Sequence, residues 1–222
     1  YDNMVTYQTP SFSGFQATVQ YSLNESSVDN TLRENSSQVD RYLGLALTAE
    51  LGALQGVLAY ETQNYASFGD KAQANTEDGQ VVYLGGNYDF EIAKVFVMGQ
   101  YFKGIKAGQL TAITEADANL IDKAGNTESA ADGVKGYGVH LGTIVPVAGG
   151  DLTVAAYFTD FTVEFDNGED GDAKSYAFGA KYEYYLSKRT SVYTGAGFAQ
   201  VKYDDEGSDK TTQAYLGLTH RF

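Results

Sequence analysis

The sequence predicts an all-β protein, an antiparallel up-and-down β-barrel, and three observations carry that prediction. Apolar and polar residues alternate with a period of two along most of the chain. The connections between the alternating stretches are short and long by turns. The composition sets 25 glycines, 18 tyrosines and 12 phenylalanines against two prolines, too aromatic for disorder and too rich in glycine for helices.

Taken in order, the stretch near 2–9 alternates weakly but carries no helix signal. Over 15–23 every odd position is apolar and every even one polar. The same alternation marks Leu43, Leu45 and Leu47, then Leu54 to Tyr60, Val82 to Phe90 and Val95 to Tyr101. It returns at Val139 to Val145, Leu152 to Phe158 and Tyr176 to Tyr184, is less clean over 191–200, and closes with Ala214, Leu216, Leu218, His220 and Phe222 on one face. That makes eleven strands, most of nine to twelve residues. Short connections fall at 10–14, 52–54, 91–93, 146–151 and 186–190. Long ones fall at 24–40, 64–79, 104–134, 164–173 and 201–211. Pro10 and Pro146 both fall in short turns, where a missing N–H harms no ladder.

The 222 residues form one domain, 1–222, with no run of ~18 apolar residues that could cross a membrane as a helix. The absence of cysteine excludes disulfides, thiol nucleophiles and thiolate zinc sites, and two histidines argue against a multi-histidine metal site. A net charge of -14 without a basic patch argues against nucleic acid as partner. No cofactor motif is present; Gly136-Tyr137-Gly138 lacks the third glycine and the helix of a phosphate loop. Calcium among Asp166, Glu169, Asp170 and Asp172 is chemically suited, but the spacing matches no EF-hand.

Alternation alone does not say which face points outward. The sparse charge of the polar face suits the wall of a water-filled lumen better than the surface of a soluble protein. Aromatics beside the short turns (Phe12 and Phe15, Tyr88 and Phe90, Tyr184 and Tyr185) suit a girdle at a membrane boundary; ordinary strand propensity is the alternative source of these rings. Of the 29 acidic residues, 21 lie in the five long connections, counting Asp40 at a boundary. They read as solvated loops, with a negative field at a pore mouth or divalent bridging to lipopolysaccharide as the functional alternatives.

Three segments resemble the Gram-negative general porins, closest to the trimeric porins of β-proteobacteria. Residues 1–15 resemble the strand and turn that follow the family's inward-folded constriction loop. Tyr184-Tyr185-Leu186-Ser187-Lys188-Arg189-Thr190 resembles a late periplasmic turn, and Gly217-Leu218-Thr219-His220-Arg221-Phe222 the C-terminal strand. The resemblance implies a sixteen-stranded barrel of the bacterial outer membrane, of which this chain is the C-terminal two-thirds, lacking five strands and the constriction loop. Strand parity independently requires an odd number of missing strands. The resemblance further implies a homotrimer, contact with outer-membrane lipid and lipopolysaccharide, and an assembly signal in Leu216, Leu218 and Phe222 read by the barrel-assembly machinery.

The expected activity is passive diffusion of ions and small hydrophilic solutes through a water-filled pore. Parity places Lys94, Lys181, Glu183, Glu50, Glu61, Asp89, His140 and Arg221 on the lumenal face. No catalytic residue is assigned: a hydrolase needs a histidine clustered with Ser, Asn or Asp, and neither His140 nor His220 has such a sequence neighbourhood. An outer-membrane enzyme and a surface-adhesive β-barrel are the alternative classes. Acidic loops over a wall of mixed charge predict a weak cation preference that grows as salt is diluted.

Overall fold

In the computed structural model, residues 3–23, 39–66, 77–105, 131–165, 170–204 and 207–222 are described. They form eleven strands: β1 (Met4–Gln8), β2 (Phe15–Ser22), β3 (Arg41–Leu51), β4 (Leu54–Asn64), β5 (Gly79–Asp89), β6 (Lys94–Ile105), β7 (Ala131–Val147), β8 (Gly150–Phe165), β9 (Asp170–Ser187), β10 (Thr190–Tyr203) and β11 (Gly207–His220). Each strand pairs antiparallel with its neighbours in chain order, giving one eleven-stranded meander. All-β structure and up-and-down connection are as the alternation predicted.

Each of the five short connections reverses through a two-residue turn, and backbone sterics explain the composition of these turns. Ser13-Gly14 and Ala148-Gly149 have positive φ at both positions (51° and 85°; 50° and 80°). That is the type I′ geometry whose twist matches the flanking strands. Phe12 and Phe15 close the first turn by exchanging N–H···O bonds of 2.8 and 2.9 Å. Gly52 and Glu91 open the next turns with φ of 65° and 68°. The Lys188-Arg189 turn has no positive φ and would splay its strands; the register shift between Thr190 and Ser191 absorbs the mismatch.

Cross-strand register sorts every strand into two faces. Apart from the glycines Gly104, Gly133 and Gly150, each strand residue that is buried, Tyr42, Gln63, Phe102, Thr159, Ser175 and Ser191 among them, lies on one of these, the inner face. The opposite, outer face carries the exposed apolar rows: Leu47, Leu58, Leu84 and Val139 run across β3 to β7, and Phe178, Leu216 and Leu218 continue over β9 to β11. An outer face that is apolar and an inner face that is polar is the inverse of a soluble barrel.

Several expectations need correction. Pro146 does not lie in a turn; it is in β7 opposite Asp151, one residue from the strand end. Two connections expected to be long are not. β9 starts at Asp170, β10 runs to Tyr203 and β11 starts at Gly207, so the strands themselves fill most of 164–173 and 201–211. β7 to β11 are 14 to 18 residues long. At ~3.3 Å per residue and a tilt near 45°, an 18-residue strand spans about 42 Å, so its end stands roughly 10 Å beyond a ~30 Å hydrocarbon core. Tyr185 pairs with Ser191 and therefore faces away from Tyr184, whose partner is Val192.

Two acidic residues expected to be solvated instead tie strand ends together. Asp40 is buried and its Oδ1 accepts the Ala66 amide at 2.7 Å. Asp78 accepts from the Asn64 side chain and, at 3.2 Å, from the Tyr65 amide. Toward the loop end the inner face also carries apolar bulk. There Phe102, Ile105, Val134, Phe161, Val163, Ala173 and Tyr203 form a buried apolar cluster flanked by Val81 and Val201.

Candidate functional site: the inner face

Strand register places the polar side chains of the inner face. Toward the short-turn end, Lys181 Nζ stands 2.7 Å from Glu183 Oε2, and Ser191 Oγ donates to Glu183 Oε1 at 2.7 Å. Lys181 also lies over the Tyr193 ring, 5.4 Å from its centroid. Beside this ladder the Tyr185 hydroxyl donates to Asp151 Oδ2 at 2.7 Å. Asp89 and Lys94 are direct cross-strand partners, with Lys94 5.6 Å from the Phe96 ring centre.

Among the hollows that indent the described wall, three border its polar residues. Glu50, Gln55, Asn87, Phe96, Met98 and His140 border one of about 370 Å³, in which Asn87 Nδ2 donates to Gln55 Oε1 at 3.1 Å. Nearer the loops, Glu61, Tyr42, Gln63, Tyr83, Gln100 and Phe102 border one of about 310 Å³. A third, about 510 Å³, has a floor of Ala155, Ala177, Gly179, Gly197 and Ala199 beside Lys181 and Tyr215. The Gln100 amide donates to the Tyr157 hydroxyl at 2.8 Å, and Gly138 beneath them has no side chain to displace the pair.

Seven of the eight residues expected at a pore wall fall on inner-face rows: Glu50, Glu61, Asp89, Lys94, His140, Lys181 and Glu183. The structure joins Lys181 to Glu183 and sets Glu50 and His140 around one hollow, while Glu61 stands apart. Arg221 lies beyond the end of β11, its amide bonded to the Arg189 carbonyl at 2.9 Å. Leu216 and Leu218 are on the outer face, and Phe222 is fully exposed. Ser191 and the inner tyrosines were missed although parity within their strands would have found them; Asp151 and Asp209 were missed because the sequence places them in expected connections that β8 and β11 in fact occupy.

His140 has the Tyr157 ring 6.4 Å away and no serine or carboxylate hydrogen-bonded to it among the described residues. His220 is on the outer face, with its Nδ1 2.9 Å from Thr190 Oγ1. Of the acidic group considered for calcium, Asp166 and Glu169 lie outside the described residues. Asp170 is 3.9 Å from Lys135, and Asp172 accepts from Thr162 at 2.6 Å.

An antiparallel meander with an apolar outer face, exposed aromatics beside its turns and a polar inner wall defines an outer-membrane β-barrel wall. Comparison with known proteins makes the class specific. A family model described as Gram-negative porin matches residues 1–206. The chain is 31% identical over 232 residues to an outer membrane porin protein of Bordetella pertussis, covering 100% of this chain and 58% of that protein. It is 28% identical over 233 residues to the major outer membrane protein P.IB of Neisseria sicca, covering 98% of this chain and 58% of that protein. The anion-selective porin from Comamonas acidovorans superposes with a TM-score of 0.65 at 22% identity, over 99% of this chain and 59% of that one. The chain therefore belongs to the Gram-negative porin family, and its location is the bacterial outer membrane. It spans less than two thirds of the length of these relatives.

Proposed function

We propose that this chain is part of the wall of a water-filled channel for passive diffusion of ions and small hydrophilic solutes, and not of an enzyme. The observation that carries the reading is the division of faces. Exposed Leu47, Leu84, Val97, Leu141 and Phe178 face one way; Gln16, Thr48, Gln55, Asn87 and Gln213, with the inner-face charges, face the other. In the barrel we propose, residues 1–222 form one domain contributing eleven of sixteen strands, and the inner-face residues Lys94, Lys181, Glu183, Glu50, Glu61, Asp89 and His140 line the lumen, with Arg221 just beyond the end of β11. A homotrimer, lipopolysaccharide as lipid neighbour and recognition of Leu216, Leu218 and Phe222 by the assembly machinery complete the proposal. They are supported by family membership and by the exposed apolar row of β11.

Anion selectivity is a property named for the Comamonas protein, whose likeness to this chain is one of fold; the sign here depends on this chain's own charges. Planar-bilayer recording of the full-length protein tests the channel. Stepwise conductance in the folded protein is expected, and a folded but silent protein would remove the reading.

A further inference from the structure

At the loop end of the outer face, Lys174 of β9 and Lys202 of β10 are direct cross-strand partners. Lys210 of β11 is on the same face opposite Gln200, diagonal to Lys202, whose own partner on β11 is Ser208. Like charges placed directly opposite one another destabilise a strand pair. The chain has only 15 basic residues against 29 acidic ones, yet three lysines share this patch. Lys174 has Asp160 only at 4.0 Å, and among the described residues neither Lys202 nor Lys210 forms an ion pair.

The depth of the patch is set by its aromatic neighbours. Lys202 Nζ is 5.5 Å from the centre of the Tyr176 ring. Tyr176 stacks at 5.2 Å on Phe158, which stands 6.1 Å from Tyr137, forming a partly exposed cluster on the outer face. Aromatic clusters of this kind sit at the membrane–water boundary, so an ammonium held over Tyr176 is level with lipid phosphates. We propose that Lys174, Lys202 and Lys210, with Gln200 and Ser208 as further donors, bind the phosphate group of an outer-leaflet lipid headgroup. With Asp160 offsetting part of the charge of Lys174, its cross-strand partner, the patch still offers the ammonium groups of Lys202 and Lys210 to a phosphate monoester of charge about −1.5 to −2, and the anion relieves the repulsion between Lys174 and Lys202. The proposal gives the lipid partner a place on the barrel; it rests on the outer-membrane location and not on conduction.

The test uses the full-length protein in uncharged detergent, with bound lipid counted by native mass measurement. Bisphosphorylated lipid A, the same lipid with its phosphates removed, and inorganic phosphate are the three probes. The phosphorylated lipid should bind the wild type more tightly than the dephosphorylated one. The triple substitution Lys174→Gln, Lys202→Gln, Lys210→Gln should weaken it about fivefold per lysine, on the order of a hundredfold in all, while the corresponding Arg variant keeps most of the affinity. Equal binding of the two lipids, an unaffected triple variant, or inorganic phosphate displacing the lipid at equal concentration would each overturn the site, the last by making it a free-phosphate site. Should the triple variant not fold, Lys202→Gln alone must still cost about fivefold. Conductance of the same samples keeps the two proposals apart: a silent protein that still sorts lipids by phosphate overturns the channel alone.

Discussion

At the scale of single residues, the tightest constraints lie in the two-residue turns. Ala148 holds φ at 50°, a left-handed conformation that costs an L-residue with a Cβ roughly 1–2 kcal/mol. The turn tolerates it because Gly149 takes the second left-handed position and because the Tyr182 hydroxyl lies 3.0 Å from the Ala148 carbonyl and 3.2 Å from that of Val147. Asparagine adopts this conformation more readily, and Asn-Gly is the favoured type I′ pair. Ala148→Asn should therefore stabilise the full-length barrel by about 0.5–1 kcal/mol. The measurement is the midpoint of denaturant unfolding in detergent, and an unchanged or lower midpoint counts against the turn assignment. On the inner wall, the Lys181–Glu183–Ser191 ladder has a different value. An exposed ion pair contributes at most about 1 kcal/mol, so its consequence is the local cancellation of Lys181's charge where ions would pass.

At the scale of the strand, the two faces of the sheet should respond oppositely to the same charge. Leu84, at the centre of β5, is 65% exposed on the outer face; an arginine near the bilayer midplane costs about 2–4 kcal/mol. Thr48 on the inner face borders the hollow that holds Glu50, and Thr48→Arg should change stability by less than about 1 kcal/mol. Refolding into vesicles with denaturant titration checks both variants, and equal costs would contradict the assignment of faces. This asymmetry was legible in the sequence wherever one face is apolar, as in Leu43 to Leu47. Legibility failed where both faces become polar: Asp172, Lys174 and Ser175 in β9, and Lys202 and Asp209 across β10 and β11, keep their ladders with no hydropathic period to reveal them. It failed again at Tyr101-Phe102, where an outer aromatic precedes an inner one and local alternation breaks at the apolar cluster. Parity found Lys181 and Glu183. Their junction with Ser191 depends on the register of β9 against β10, which no single strand encodes.

At the scale of the molecule, the charge of the wall and the charge of the loops must be weighed separately. Not all the acid near the loops can act on a pore. Glu164 is 2.6 Å from Lys135 and Asp170 is 3.9 Å from it, all on the outer face, and Asp40 is buried in a strand junction. The described inner face, in contrast, has a sign that the sequence left mixed. Glu50, Glu61, Asp89, Asp151, Glu183 and Asp209 share it with Lys94 and Lys181. At ~0.15 M salt the Debye length is about 8 Å, so an ion feels only the charges it passes closely; at ~0.01 M it is about 30 Å, and the whole negative wall adds to the field at the entrance. Carboxylates in excess of lysines on the described inner face thus predict, for the channel we propose, a weak cation preference that grows as salt is diluted. Reversal potentials under KCl gradients at both ionic strengths measure it. Anion selectivity that persists at low salt would show that charges elsewhere in the full-length barrel outweigh this wall, because at that screening length the six carboxylates could no longer be hidden from the permeating ion.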